Sequence, residues 1–136
     1  MLVVDASVVV AFLVDPVRRE AIRAAFREGR DDLHAPAHLD LEVVSALRRL
    51  AASGALPDRQ AGMAARDLAD LPVLRHVLEP LMATVWKLRG NVSPYDAAYV
   101  ALALALDAPL LTADAALARA PGMPVRIIQI PAPAEA

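Results

Sequence analysis

The sequence predicts an α/β fold, in which a parallel β-sheet is covered on both faces by helices. Short, continuously apolar runs of strand length alternate along the chain with longer segments of helical periodicity. Continuous apolar runs are typical of strands in parallel sheets, because both faces of such strands are buried. The chain has 136 residues and shows neither an internal repeat nor a dividing linker. We therefore expect one domain with a substantial core.

The first half of the chain begins with a strand and continues with helices that proline and glycine delimit. Proline lacks a backbone N–H and favours helix starts or the residues beyond a helix end, whereas glycine readily closes a helix. Pro16, Gly54 and Pro57 mark such positions. The expected elements are a strand Leu2–Asp5, helices Ala6–Val14 and Pro16–Arg30, a strand Asp32–Ala35, and helices Ala37–Ser53 and Asp58–Leu71.

The second half contains the longest apolar helix and three further strands. Gly90 ends one helix, and Ser93-Pro94 opens the next with an N-cap residue followed by proline. The expected elements are a strand Val73–Leu78, helices Glu79–Arg89 and Ser93–Asp107, a strand Leu110–Thr112, a helix Ala113–Ala118 and a strand Val125–Ile130. We expect the folded domain to span residues 1–130 and Pro131–Ala136 to form a disordered tail.

Composition excludes several functional classes. The sequence contains no cysteine, which rules out disulfides, thiolate metal sites and thiol nucleophiles. Its longest uninterrupted apolar run, Ala97–Leu106, is far shorter than the roughly 20 residues of a membrane span. Asp5 interrupts the apolar N-terminus, so we expect no signal peptide and a cytoplasmic location. The net charge of -2 means that any nucleic-acid contact must be local and carried by arginines.

Four acidic residues lie in or beside apolar segments, where charged side chains are uncommon. Asp5 and Asp114 lie at or just beyond the ends of predicted strands, Asp96 lies in the first turn of a helix, and Glu42 borders the apolar stripe of another. Side chains at the carboxyl ends of parallel strands meet at one edge of the sheet. Two carboxylates about 4 Å apart there repel by roughly 4 kcal/mol at an effective dielectric of about 20. A divalent cation removes that repulsion, and oxygen-only ligands favour Mg²⁺ or Mn²⁺.

Each acid also has a purely local interpretation. Asp5 and Asp114 suit N-caps, Ser93 and Asp96 suit a capping box, and Glu42 suits a solvated helix face beside Arg49. Capping and metal ligation are compatible, because a capping carboxylate keeps lone pairs to offer. From the residues alone, both interpretations remain open.

Three segments together resemble the PIN-domain family, and the VapC toxins in particular. The stretch SPYDAAYVALALALDAPLLTADAALARAPG is similar to the C-terminal signature of the family, VVDASVVVAFL to its first strand and helix, and APAHLDLEVVSALRRL to the helix that carries its glutamate. The resemblance runs from Leu2 to about Ile128. One small departure is Asp107, where many relatives have glycine.

The resemblance implies a three-layer α/β/α fold and a metal-dependent endoribonuclease that acts as the toxin of a toxin–antitoxin pair. The cofactor it implies is Mg²⁺ or Mn²⁺, and the implied partners are an RNA substrate, a cognate antitoxin and a second copy of the chain. An apolar surplus, 57% of the sequence, also agrees with a buried subunit interface. The family's catalytic acids fall on Asp5, Glu42, Asp96 and Asp114, and its metal ligands on Asp5, Asp96 and Asp114. Its hydroxyl positions fall on Ser7 and Thr112, which could orient substrate, a water or a carboxylate and could equally cap helices.

Other charged and aromatic residues carry weaker signals than the four acids. Lys87 and Arg89 shortly precede the Asp96 helix, and we expect Arg89 to help position the substrate. Trp86 is expected in the core or in an interface. Pro36 separates His34 from His38, so we do not expect these histidines to form a helical ligand pair, and we expect His76 to be structural. These expectations, unlike the acidic quartet, rest on position along the chain alone.

Three rival functions follow from the same residues. A phosphorylation receiver domain also gathers aspartates at a sheet edge, but it needs a lysine after a late strand, and this chain has none after Lys87. A PIN-like module without catalysis would be expected to lack one of the acids. A PIN-like nuclease in RNA processing or DNA metabolism remains as the alternative to a toxin.

Overall fold

The computed structural model describes residues 1–132, and these residues form an α/β fold around a parallel sheet. The strands within this range are β1 (Leu2–Val4), β2 (Leu33–Pro36), β3 (Val73–His76), β4 (Leu110–Thr112) and β5 (Ile127–Gln129). All neighbouring pairs are parallel, and the strand order is β3-β2-β1-β4-β5. Helices lie on both sides of this sheet, which confirms the predicted fold class.

The α-helices of the described range are α1 (Ala6–Val14), α2 (Pro16–Glu28), α3 (Leu39–Ala52), α4 (Asp58–Asp70), α5 (Met82–Lys87), α6 (Pro94–Leu106) and α7 (Ala115–Ala118). Every predicted element is present, and most ends differ from the prediction by one or two residues. The largest difference is Glu79–Arg89, where a 3₁₀ turn over Glu79–Leu81 precedes the short α5. Pro80 lies inside that turn, where it can begin a helix but cannot donate a hydrogen bond.

The core lies where β1 and β4 meet α6. Val3, Val4, Leu110 and Leu111 have no exposed surface, and α6 is buried continuously over Ala97–Ala103. A helix that is apolar on all sides must be surrounded by protein. This explains why the longest apolar run of the sequence belongs to α6 and does not need a membrane. Within residues 1–132, no helix combines the length and apolarity that crossing a membrane requires.

The structure bears on the predictions for Trp86 and for the C-terminal tail. Trp86 is not a core residue, because 66% of it is exposed, and the Arg89 guanidinium lies over its ring at 4.3 Å. Of the tail predicted over Pro131–Ala136, residues 133–136 lie outside the described range.

Candidate active site

The site lies at the carboxyl ends of the two central strands. β1 and β4 are neighbours, with Val4 opposite Leu111, so Asp5 and Thr112 follow side by side. In the sheet, β2 and β3 lie on one side of β1, and β4 and β5 lie on the other. The strand order therefore reverses direction between β1 and β4, which is where ligands bind in open α/β sheets.

Asp5 is held from both sides by hydroxyl groups. Its Oδ1 accepts hydrogen bonds from Ser7 Oγ at 2.6 Å and from the Val8 N–H at 3.1 Å. Its Oδ2 accepts one from Thr112 Oγ1 at 2.5 Å. The Ser7 and Thr112 hydroxyls accept in turn from the backbone N–H groups of Ala113 and Asp114. The two hydroxyl residues thus orient a carboxylate.

Burial gives Asp5 an unusual affinity for its proton. The residue is 4% exposed, and desolvation raises its pKa from 3.8 to about 6. The hydrogen bonds from Ser7, Thr112 and Val8 act in the opposite direction, and the negative charge of Asp96 adds to the increase. An ion bound beside Asp5 would favour the charged form and lower this pKa.

Asp96 and Asp114 begin two helices that converge on Asp5. Asp114 is the N-cap of α7 and accepts from the Ala116 N–H at 2.8 Å. Asp96 lies in the first turn of α6, and its N–H donates to the Ser93 N-cap at 3.2 Å. Burial first, and then the charges of Asp114 and Glu42, raise the pKa of Asp96. The N-cap role of Asp114 is therefore real, Asp96 takes part in capping through its backbone N–H, and the two carboxylates are close enough to repel each other.

Glu42 contacts two residues whose roles the sequence reasoning missed. Its Oε1 accepts a hydrogen bond from Tyr99 at 2.7 Å, and His38 Nε2 lies 3.1 Å away. Burial acts to raise the pKa of Glu42, but the hydrogen bonds from His38 and Tyr99 outweigh it and lower the pKa overall. Burial of Tyr99 raises the pKa of its own hydroxyl, which therefore stays protonated and can donate a hydrogen bond. Arg49 donates to Ser45 and makes no direct ion pair with Glu42, although its charge also lowers the pKa of Glu42.

All four acids line one open pocket of about 860 Å³. Ser7 and Tyr99 also line it, together with Arg18 and Arg49 from α2 and α3. The donor set consists of oxygen atoms and suits Mg²⁺ or Mn²⁺. Within residues 1–132, however, no three histidine, aspartate or glutamate side chains lie close enough to share one ion as they are placed. Joint ligation by Asp5, Asp96 and Asp114 therefore requires rotation of the half-buried Asp96 and the exposed Asp114 side chains.

The lining of the acidic pocket does not include Arg89, His34 or His76. Arg89 donates to the Trp86 carbonyl at 2.9 Å and does not line the acidic pocket, so its role in positioning substrate stays a prediction. His34 Nδ1 and His76 Nε2 are 2.8 Å apart, which ties β2 to β3. His34 and His38 thus contact different partners.

Residues 2–123 match the family model of the PIN domain. Ribonuclease VapC3 of Mycobacterium tuberculosis is 44% identical over 119 residues, which are 87% of this chain and 85% of that protein. Ribonuclease VapC1 of the same organism is 44% identical over 127 residues, covering 92% of this chain and 94% of that protein.

Two solved structures share the fold. Mycobacterium tuberculosis VapC20, described as a Sarcin-Ricin loop cleaving toxin, superposes with a TM-score of 0.66 at 16% identity, covering 87% of this chain and 93% of that one. PAE2754 from Pyrobaculum aerophilum superposes with a TM-score of 0.65 at 23% identity, covering 93% and 81% respectively. At these identities the structural likeness bears on the fold alone.

Proposed function

Because this chain belongs to the PIN-domain family, we propose that it is a metal-dependent endoribonuclease and the toxin of a toxin–antitoxin pair. The observation that carries the proposal is the meeting of Asp5, Glu42, Asp96 and Asp114 in one pocket beyond β1 and β4. The names of its relatives, which include ribonucleases VapC1 and VapC3, support RNA as the substrate. We assign the nuclease domain to residues 1–130. We place the protein in the cytoplasm, where it would encounter RNA and the antitoxin.

The metal would be held by Asp5, Asp96 and Asp114. When bound, Mg²⁺ or Mn²⁺ would offset the charge of the phosphodiester and lower the pKa of a coordinated water. Ser7 and Thr112 keep the Asp5 carboxylate in place for this task. Because the carboxylate is already oriented, less entropy is lost when the metal binds.

Glu42 is the best placed group to accept a proton from the attacking water. Its lowered pKa keeps it ionised at neutral pH, and Tyr99 and His38 fix its position. In-line attack by water would leave a 5′-phosphate and a 3′-hydroxyl. No covalent protein intermediate is needed, which agrees with the absence of cysteine from the sequence.

An antitoxin would occupy the same pocket. Beyond the acids, the pocket wall is apolar and includes Val10, Val14, Leu50 and Leu56. A peptide that covers this wall and places an arginine among the carboxylates would replace the metal and block the enzyme. Large exposed apolar side chains elsewhere, such as Leu41 at 76% and Val77 at 72%, support an additional homodimer interface.

Two alternatives have less support. A non-catalytic binding module would not need four carboxylates in one pocket, because their repulsion would destabilise the fold and they would serve no catalytic role. A nuclease of RNA processing or DNA metabolism would share the site, and only the names of the relatives favour the toxin. Cleavage of RNA but not of DNA of matching sequence would remove the DNA alternative.

The decisive test is cleavage by the Asp96→Asn variant. The parent protein should cut RNA with Mg²⁺ or Mn²⁺ and stop when EDTA is added. Asp96→Asn should lower the rate by several orders of magnitude, because it removes charge from the metal site while keeping the side-chain shape. Asp58→Asn is the matched control, since Asp58 also lies in the first turn of a helix, α4, but outside the pocket. Equal rates for Asp96→Asn and the parent would refute the mechanism.

A further inference from the structure

The pocket extends from the carboxylates to a cation on the same face of α3. Glu42, Ala46, Arg49, Leu50 and Ser53 all line it, and their spacing of three and four residues places them along one side of the helix. Arg49 lies seven positions after Glu42, which is about 10 Å along the helix axis. Arg49 therefore begins about two helical turns from Glu42.

Arg49 is held by a hydroxyl group, and its charge also lowers the pKa of Glu42. Its Nη1 donates to Ser45 Oγ at 2.9 Å, and within residues 1–132 no carboxylate oxygen lies within 4.0 Å of its guanidinium. Arg18, the other arginine of the pocket, is bound to Asp15 at 2.8 Å. Once that pair is set aside, the charged groups that line the described pocket are four acids and Arg49.

An RNA backbone that approaches four acids is repelled unless part of the pocket attracts it. Apolar side chains also line the pocket, from Val10, Val14, Leu50 and Leu56, and they suit a base or a ribose. The volume of about 860 Å³ lies within the range of roughly 300–1,000 Å³ that is usual for sites of small ligands. The pocket therefore combines four acids, an apolar wall and the guanidinium of Arg49.

We propose that this pocket is a nucleotide subsite, in which Arg49 binds the phosphate next to the one that is cleaved. The intervening nucleotide would lie on the apolar wall, and the scissile phosphate would lie at the carboxylates. The proposal rests on the proposed nuclease function and names a substrate-positioning residue for it. Arginine is suited to this role because its planar fork can donate two hydrogen bonds to a phosphate. The contact fixes register and carries no base specificity.

The test compares Arg49→Ala with Arg48→Ala. Both residues lie on α3, both are exposed, and both substitutions remove one positive charge, but Arg48 does not line the pocket. The probe is a short single-stranded RNA that the parent protein is shown to cleave. Arg49→Ala should raise KM about fivefold to tenfold, as expected for one charged contact at a partly exposed site, with a smaller effect on kcat. It should also reduce the slope of log affinity against log salt by about 0.7. Arg49→Lys should recover part of the loss.

A second measurement locates the contact on the RNA. Neutral methylphosphonate linkages are placed one at a time on either side of the cleaved bond. At one position the parent protein should lose affinity, and Arg49→Ala should lose nothing further there, because the contact is already absent. Additive losses at every position would show that Arg49 acts only through the general field of the protein, and would overturn the subsite.

The outcomes separate this inference from the function on which it rests. A parent protein that cleaves no RNA would refute the nuclease proposal before Arg49 is tested. Cleavage by the parent, with equal kinetics for Arg49→Ala and Arg48→Ala, would refute the subsite alone. If Arg49→Ala instead weakens only the complex with the co-expressed antitoxin, then Arg49 belongs to a protein interface and the nucleotide subsite is wrong.

Discussion

The buried Asp5 carboxyl should make the metal-free protein less stable as the pH rises. Burial raises its pKa from 3.8 to about 6, so the folded chain holds this proton more tightly than the unfolded chain does. The associated stability is fully present below pH 3.8 and is lost as the pH rises through about 6. The gap between these two pKa values corresponds to about 3 kcal/mol.

Urea unfolding with EDTA between pH 4 and 8 measures this loss directly. The free energy of unfolding of the parent should fall by up to about 3 kcal/mol relative to that of Asp5→Asn, because asparagine does not titrate. Asparagine can keep one oxygen toward the Val8 N–H and donate to Thr112 Oγ1, whose hydroxyl hydrogen is free to reorient. Comparing the two proteins at each pH cancels the contributions of the other titrating groups.

Asp15→Asn provides a control of opposite sign. A hydrogen bond from Arg18 lowers the pKa of Asp15, so this carboxylate stabilises the fold above its unfolded pKa and loses that effect as the pH falls through its folded pKa. Its replacement should flatten the acid side of the stability curve and leave the decline toward pH 6 intact. If the curves of the parent and Asp5→Asn run parallel from pH 4 to 8, the burial penalty at Asp5 does not exist and the reasoning fails.

Two further predictions concern the metal and the assembly. Without metal, Asp114→Asn should melt at the same temperature as the parent or higher, because it relieves repulsion, and it should gain less from Mn²⁺ than the roughly 2.7 kcal/mol expected at a hundredfold excess over Kd. An identical Mn²⁺-induced shift in both proteins would leave Asp114 as a helix cap only. Light scattering should show a mass near twice 14.4 kDa, and a stable monomer at micromolar concentration would contradict the homodimer.

The fold was largely predictable because its signals are local. The continuous apolar runs at Leu2 and Leu110 became the two central strands, and Pro94 and Gly54 marked real helix boundaries. Strand order could not be predicted, because it depends on pairings between segments that are distant in sequence, such as β1 with β4. The helix expected over Glu79–Arg89 was too long, since a window of helical composition does not distinguish a 3₁₀ turn from α-helix.

The candidate site shows the same division between local and distant information. Asp5, Glu42, Asp96 and Asp114 could be selected because charge is rare in their apolar surroundings, and the structure brings them to one pocket. The support of Glu42 by Tyr99 could not be selected, because 57 residues separate the two. His38 precedes Glu42 by four residues, which is the spacing of neighbours on a helix, and this was a signal that sequence reasoning could have used.

The four acids share a position at helix starts, which links the capping of α1 and α7 to the chemistry of the site. Asp5 and Asp114 are the N-caps of α1 and α7, and Glu42 and Asp96 lie in the first turns of α3 and α6. A helix N-terminus stabilises a nearby negative charge by about 0.3–1 kcal/mol, whereas one pair of carboxylates about 4 Å apart costs roughly 4 kcal/mol at an effective dielectric of about 20. The helix dipoles therefore reduce the repulsion without removing it. Burial is the main cause of the raised pKa values of Asp5 and Asp96, and the remaining repulsion adds to it. A site in this condition is folded and oriented, and the binding of a cation would lower its free energy further.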